Sequence, residues 1–244
     1  MARVTWTRWD ARQLGRAAAV ATVTLAVAWL VTATTDEGAV PWGARAGRTL
    51  PLTPICAAVG AWVALAPVRS RGEALALAAM GRSPAQIAAA AVVGGALVAV
   101  AAALLLGVAQ AVDVTGFFPT ARRMDAWTWT GAGFVDAARG LSVGIDGTPR
   151  RLVADVARTV ADLPAHGRAA AAVETAVAGV ALPLLLAHGL LARVRRLPLV
   201  LAAGATIAGS VVLFQAAAAR QAPAALVVLP PLALLAFAVG RYRA

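Results

Sequence analysis

Residues 69–87 read R-S-R-G-E-A-L-A-L-A-A-M-G-R-S-P-A-Q-I, and two helix-start signals stand in them one after the other. Ser70 and Glu73 have the S-x-x-E spacing of a capping box, in which a hydroxyl and a carboxylate each take a backbone N–H left without a partner in the first helical turn. Ser83 and Gln86 repeat it as S-x-x-Q, with Pro84 at the first helical position, where an N–H is not needed. Gly81 between them is a natural left-handed stop. The stretch predicts a helix of about two and a half turns, a glycine break, and a second helix that starts at once and continues as a long apolar run. A short capped helix is expected where two membrane spans meet.

Composition decides what surrounds it. Hydrophobic residues make up 61% of the 244 and the mean hydropathy is +0.78, well above the roughly half-apolar share of soluble domains. This places the chain among membrane proteins. The net charge of +11 comes from Arg alone, since the sequence contains no Lys. Its placement matters more than its sum, and no nucleic-acid partner is expected. Without Lys there is no G-x-x-x-x-G-K-[ST] phosphate loop and no Schiff-base amine, so the chain carries no ATPase site of that type. Cys56 is the single cysteine and lies in an apolar run. It allows no intrachain disulfide and says nothing of redox compartment. There is no H-E-x-x-H and no Cys/His cluster, so neither a metal nor another cofactor is expected in this chain.

Residues 1–16 hold Arg3, Arg8, Arg12 and Arg16 against Asp10, with Trp6 and Trp9 as interfacial anchors. Residues 17–35 are uncharged and of the length that spans a bilayer core. A basic start and small residues near position 35 also fit a cleaved signal peptide, although the run exceeds the roughly 7–15 residue core of such peptides. A short polar connection, 36–49, is followed by a second span at 50–68, opened by Pro51 and Pro54 and closed by Pro67. The third span is expected at about 87–112, where Gly94 and Gly95 offer a close helix contact.

Residues 113–168 break the pattern, with six Asp and seven Arg in near balance. Trp127 to Thr130 alternate like a strand, and residues 141–145 before Asp146-Gly147 read as a strand entering a tight turn. Thr148-Pro149 suits a cap and first turn, and Leu152, Val156, Val160 and Leu163 recur at helical spacing over 150–163. A small mixed domain and a loosely ordered loop with one surface helix fit equally well. Three further spans follow at 169–192, 197–219 and 222–240, the last two forming a helical hairpin. The expected fold class is an all-α membrane protein of six transmembrane helices, three and three. Its parts are helices 1–3 in residues 1–112 with the short helix at about 70–81, a small domain at 113–168, and helices 4–6 in 169–244.

Alternate ends of these spans hold the N-terminal arginines, then Arg69, Arg71 and Arg82, then Arg193, Arg195 and Arg196, and finally Arg241 and Arg243. The opposite ends are balanced in charge or hold Arg220 alone. The positive-inside rule then puts both termini and the 69–83 elbow in the cytoplasm and the middle domain outside. The expected location is a bacterial inner membrane.

Three spans, an extracytoplasmic domain and three spans, with L-P-L-T-P opening the second span and R-G-E-A-L-A-L-A-A-M-G-R-S-P-A-Q-I after it, resemble the LptF/LptG permeases of the lipopolysaccharide exporter. FtsX-like exporters place a comparable E-x-x-x-x-x-x-x-G pattern before a span. The LptF/LptG resemblance implies a cytoplasmic coupling helix that inserts into a groove of an ABC ATPase subunit, with ATP bound there. It puts Ser70, Arg71, Glu73, Gly81, Arg82 and Ser83 at that contact, with Leu75, Leu77 and Met80 on its apolar side. It also implies a second permease copy or paralogue and export of lipopolysaccharide or another amphipathic, anionic lipid. The family's extracytoplasmic jellyroll needs more than the roughly 55 residues present here. A shortened, divergent member fits better.

Without the family, the mechanical argument is that closure of two ATPase subunits pushes on the short helix and tilts spans two and three. Arg45 and Arg48, before span two, are candidates for binding anionic headgroups, either of a substrate or of the ordinary bilayer. His188 suits an interhelical hydrogen bond, and its depth separates it from Ser210, against an intramembrane serine protease. Glu174 is the only carboxylate inside an expected span and makes a poor proton relay alone. The alternatives to an exporter permease are a non-transporting scaffold or regulator that binds a partner through 113–168, and an intramembrane enzyme.

Overall fold

The computed structural model describes residues 6–35, 40–118, 127–131, 133–136, 141–151, 163–191 and 196–243. It is mostly helical, and six of its helical segments are long and apolar enough to cross a membrane. In chain order the helices are α1 (Arg8–Thr35), α2 (Trp42–Thr49), α3 (Thr53–Ser70), α4 (Glu73–Ala79) and α5 (Pro84–Val108). After a small sheet come α6 (Gly167–Leu191), α7 (Arg196–Ala218) and α8 (Leu229–Arg243). Three of the six long segments precede the sheet and three follow it.

α1 begins nine residues before the expected span, because Thr7 and Asp10 cap it. The Asp10 backbone N–H donates to Thr7 Oγ1 at 3.4 Å, and the Thr7 N–H donates to Asp10 Oδ2 at 2.9 Å. This reciprocal pair satisfies two of the donors that a helix start leaves open. The expected connection at 36–49 contains a further helix, α2, which runs through a 3-10 turn (Leu50–Leu52) into α3. Pro67 does not close the second span. The helix continues to Ser70, and the Pro67 carbonyl still accepts from the Arg71 N–H at 2.9 Å. Towards its other end, α5 stops at Val108, four residues before the expected limit.

Small residues bring the helices together. A methyl group on Gly60 would overlap the Ala17 carbonyl oxygen, and one on Gly94 would overlap that of Leu14. Ala17, Ala57, Ala61, Ala91 and Ala99 are fully buried around these crossings. Where lipid is as apolar as the side chains, such close backbone approach and its dispersion contacts hold helices together better than bulk hydrophobicity does. α6 packs on α5, α3 and α8, whereas α7 rests chiefly on α8 and the 3-10 segment Ala224–Val228.

At one end of the bundle, Leu50, Leu106, Val112, Phe117, Phe118 and Phe214 form an apolar cluster, with the Phe118 and Phe214 rings edge to face at 5.1 Å. α2 closes this end. Methyl groups on Gly43 and Gly47 would overlap the carbonyl oxygens of Ala111 and Asp113, and the Asp113 N–H donates to the Gly43 carbonyl at 3.0 Å. The G-x-x-x-G spacing of W-G-A-R-A-G-R thus lets α2 lie directly on the chain leaving α5.

The sheet is an antiparallel meander of β1 (Trp127–Trp129), β2 (Gly133–Asp136), β3 (Leu141–Gly144) and β4 (Pro149–Arg151). The first and third strands and the Asp146-Gly147 turn are where the alternation puts them. Gly147 takes φ +73°, and Asp146 Oδ1 accepts from both the N–H (3.1 Å) and the hydroxyl (2.6 Å) of Thr148. Those two donors hold the Asp146 carboxyl below its usual range. Thr148-Pro149 starts a strand and not a helix, since Pro149 to Arg151 pair with β3. The rest of the helix expected at 150–163 lies outside the described residues, up to Leu163, which is in coil.

Candidate functional site

α4 stands between two left-handed glycines. Gly72 (φ +75°) is its N-cap, and Gly81 (φ +84°) follows its C-terminus. The Ser70 capping box is absent. Ser70 ends α3, and its hydroxyl donates back to the Pro67 carbonyl at 3.3 Å. The reversal at Gly72 separates α4 from α3, so Ser70 and Arg71 belong to the turn and Glu73 opens a helix of 7 residues. Its C-terminus closes as a Schellman motif: Arg82 N–H donates to the Leu77 carbonyl (3.0 Å) and Gly81 N–H to that of Ala78 (2.9 Å). The second capping box is present as expected, with Ser83 and Gln86 bonded reciprocally and Pro84 beginning α5.

No residue of α4 is buried. Leu75 and Met80 are 67% and 73% exposed, and Leu77 is half-buried. A segment of sequence E-A-L-A-L-A-A, set between two glycine turns and only partly covered, at Glu73, Ala74 and Leu77, presents an apolar ridge at the turn between two long helices.

Arg82 does not share that exposure. Its guanidinium makes two parallel hydrogen bonds with Asp10, Nη1 to Oδ1 at 2.9 Å and Nη2 to Oδ2 at 2.8 Å, and lies 5.6 Å from the centre of the Trp9 ring. This fork-to-carboxylate geometry needs an arginine. Asp10 holds the Arg82 guanidinium above its already high pKa. The pair fastens the turn after α4 to the start of α1, and sequence reasoning missed it because the two residues stand 72 positions apart.

The opposite end has its own arginine, also missed. Arg168 donates to three carbonyls at and just beyond the end of α5, those of Leu106, Ala109 and Val112, each at 2.9 Å. A cation at the carbonyl end of a helix meets acceptors that the helix leaves open and the negative end of its dipole. An arginine at the start of one apolar run, just across a connection from the end of another, is the signal that could have found it.

Of the two arginines expected to meet headgroups, Arg45 turns inward, over the Trp29 ring at 5.9 Å, and its Nε is buried without a hydrogen bond. Arg48, one turn further along α2, has an exposed side chain. The two do not converge on one site.

The helices also line an open-sided cavity of about 250 Å³ between α3, α6 and α7. Ile55, Leu182, Ile207, Val211 and Phe214 form apolar walls, and Glu174, Thr206 and Ser210 are its polar side chains. The Ser210 hydroxyl faces the Glu174 carboxyl, yet its Oγ is buried and without a hydrogen bond of good geometry. Thr206 donates to the Ala202 carbonyl of its own helix at 2.9 Å. His188 lies on α6 fourteen residues beyond Glu174, about 21 Å along the axis, so it and Ser210 belong to different halves of the bundle.

Among the described residues, no group of His, Cys, Asp and Glu could hold a metal ion. Compared with family models, with curated proteins and with solved structures, the chain matches none. The class that fold and site define is a protein of six helices able to cross a membrane, with a short apolar helix projecting at the turn between the second and third.

Proposed function

We propose that the chain is the permease subunit of an ATP-driven exporter, coupled through α4 to a separate ABC ATPase. The observation that carries this reading is α4 itself. A membrane protein gains little internally from a short helix, set between two glycine turns, whose Leu75 and Met80 face outward, whereas a partner with an apolar groove gains a preordered ridge. Because α4 joins α3 and α5 through single glycine turns, force applied to it moves both helices. Arg82 extends that linkage to α1.

Charge supports the orientation. The end of the bundle that carries α4 also carries Arg8, Arg12, Arg16, Arg69, Arg71 and Arg241. The other end holds Arg45, Arg48, Arg168 and Arg220, of which Arg45 and Arg168 are engaged by an aromatic ring and by carbonyls. By the positive-inside rule the α4 end is cytoplasmic and the sheet extracytoplasmic, as in a bacterial inner-membrane permease. The LptF/LptG-like order of elements suggests an amphipathic, anionic lipid such as lipopolysaccharide as cargo, with Arg48 the better placed of the two α2 arginines for a headgroup. A single set of six helices needs a second copy or a paralogue to enclose a path for it.

Cross-linking tests the reading. With the buried Cys56 replaced by Ala, Met80→Cys should cross-link to an ATPase that co-purifies with the chain, and a cysteine introduced at Thr130 in the sheet should not. A second reading, a scaffold or regulator, is favoured by one observation: the Trp129 and Phe134 rings lie 5.0 Å apart, tilted against each other on the sheet, with both about half exposed, a patch that suits a protein partner. Capture of a partner that is lost in Trp129→Ala, with no ATPase present, would support that reading instead.

A further inference from the structure

The cavity between α3, α6 and α7 is unrelated to α4 and has a chemistry of its own. Its walls are apolar, and Ile55, Ile207 and Val211 are each close to half exposed, so it opens sideways to the medium around the helices. Glu174 sits seven residues into α6, about 10 Å along the axis. An acidic side chain at such depth is normally met by a cation. Here it is not: among the described residues no arginine pairs with Glu174, and of the arginines near that end Arg168 is held on the α5 carbonyls and Arg45 on Trp29. Ser210 adds a buried hydroxyl that faces the Glu174 carboxyl without a hydrogen bond of good geometry, and the Thr206 oxygen, whose proton is already donated to Ala202, can only accept.

The polar floor of the cavity is therefore one acid flanked by the Ser210 hydroxyl and the accepting Thr206 oxygen, in a chain whose other charges are mostly positive. We propose that this cavity binds a lipophilic amine, its ammonium on Glu174 and Ser210 and its apolar body against Leu182, Ile207 and Phe214. A carboxylic acid or phosphate head would face like charge, and a neutral alcohol could satisfy Ser210 but leave the acid without a counter-charge. A volume of about 250 Å³ admits a compact head with a ring or short chain. The site is distinct from the Arg48 surface and does not depend on the ATPase reading.

The experiment uses the full chain in lipid nanodiscs and three probes of matched size: radiolabelled 4-phenylbutylamine, 4-phenylbutanol and 4-phenylbutanoic acid. Binding above partition into empty discs should be saturable for the amine and at least tenfold weaker for the alcohol and the acid. Glu174→Gln should weaken amine binding at least tenfold, and Glu174→Asp should restore part of it. Val211→Phe, a change at the half-exposed rim that leaves Glu174 in place, should obstruct entry and lower amine occupancy even if the Gln variant folds poorly. Equal binding of the three probes, or amine binding unchanged in Val211→Phe or in a folded Glu174→Gln, overturns the proposal.

Discussion

The Arg82 guanidinium grips the Asp10 carboxylate through two hydrogen bonds of 2.9 and 2.8 Å, and the same carboxylate caps α1 through Thr7. One acid thus closes the start of α1 and fastens to it the turn between α4 and α5. Asp10 is 8% exposed and Arg82 23%, so removing either partner leaves the other partly desolvated and unpaired. Arg82→Ala should destabilise the protein by about 1.5–3 kcal/mol. Arg82→Lys should lose about half as much, since an ammonium cannot make the parallel pair. Thermal unfolding in detergent, with Asp10→Asn and the double variant completing the cycle, measures the coupling; additive losses would show that the pair contributes nothing.

Gly47 touches backbone. Gly47→Ala puts a methyl group on the Asp113 carbonyl oxygen and should cost about 1–3 kcal/mol as α2 is pushed off the chain leaving α5. Gly15→Ala, at a position with open space, serves as the control and should change little. A thermal shift compares the two.

Arg168→Ala removes three charge-assisted bonds to the end of α5 and should cost about 3 kcal/mol. Arg168→Lys should recover only part, because one ammonium cannot span carbonyls from Leu106 to Val112. Hydrogen exchange of the last turn of α5 and the residues following it should quicken in the Ala variant.

Gly81→Ala forces an L side chain into φ +84° and should cost about 1–2 kcal/mol. The loss should be local: the Gly81 and Arg82 amides, which close the Schellman motif, should lose protection in hydrogen exchange while α5 keeps its own. Gly81→Asn should cost less, because Asn tolerates the left-handed conformation.

What could be read in the sequence followed from local chemistry. Long apolar runs gave six helices, S-P-A-Q gave the start of α5, Gly81 gave the end of α4, and alternation around Asp146-Gly147 gave strands. The expectation at Ser70 failed for a local reason too: a glycine two residues on offered a sharper reversal than a hydroxyl cap, and α3 kept its helical bonds past Pro67 up to it. Thr148-Pro149 resembles a helix start, but Pro also suits the first residue of an edge strand, and pairing with β3 decided it. What could not be read depends on contacts between distant segments. Asp10 and Arg82, and Glu174 with Ser210, meet only through the packing of distant helices, and no spacing along the chain encodes those meetings.

The central claim is that α4 docks on an ATPase, and a pull-down of the intact complex in mild detergent tests it most directly, followed by an ATPase assay on wild type and Glu73→Arg. Glu73 opens α4 and no residue of that helix is buried, so reversing its charge should spare the fold and act at the docking surface. The account predicts that an ATPase co-purifies with the wild type and is lost, or hydrolyses ATP without coupling, with Glu73→Arg. If no ATPase accompanies either protein, the account is contradicted, and the search for a partner moves to Trp129 and Phe134 on the sheet.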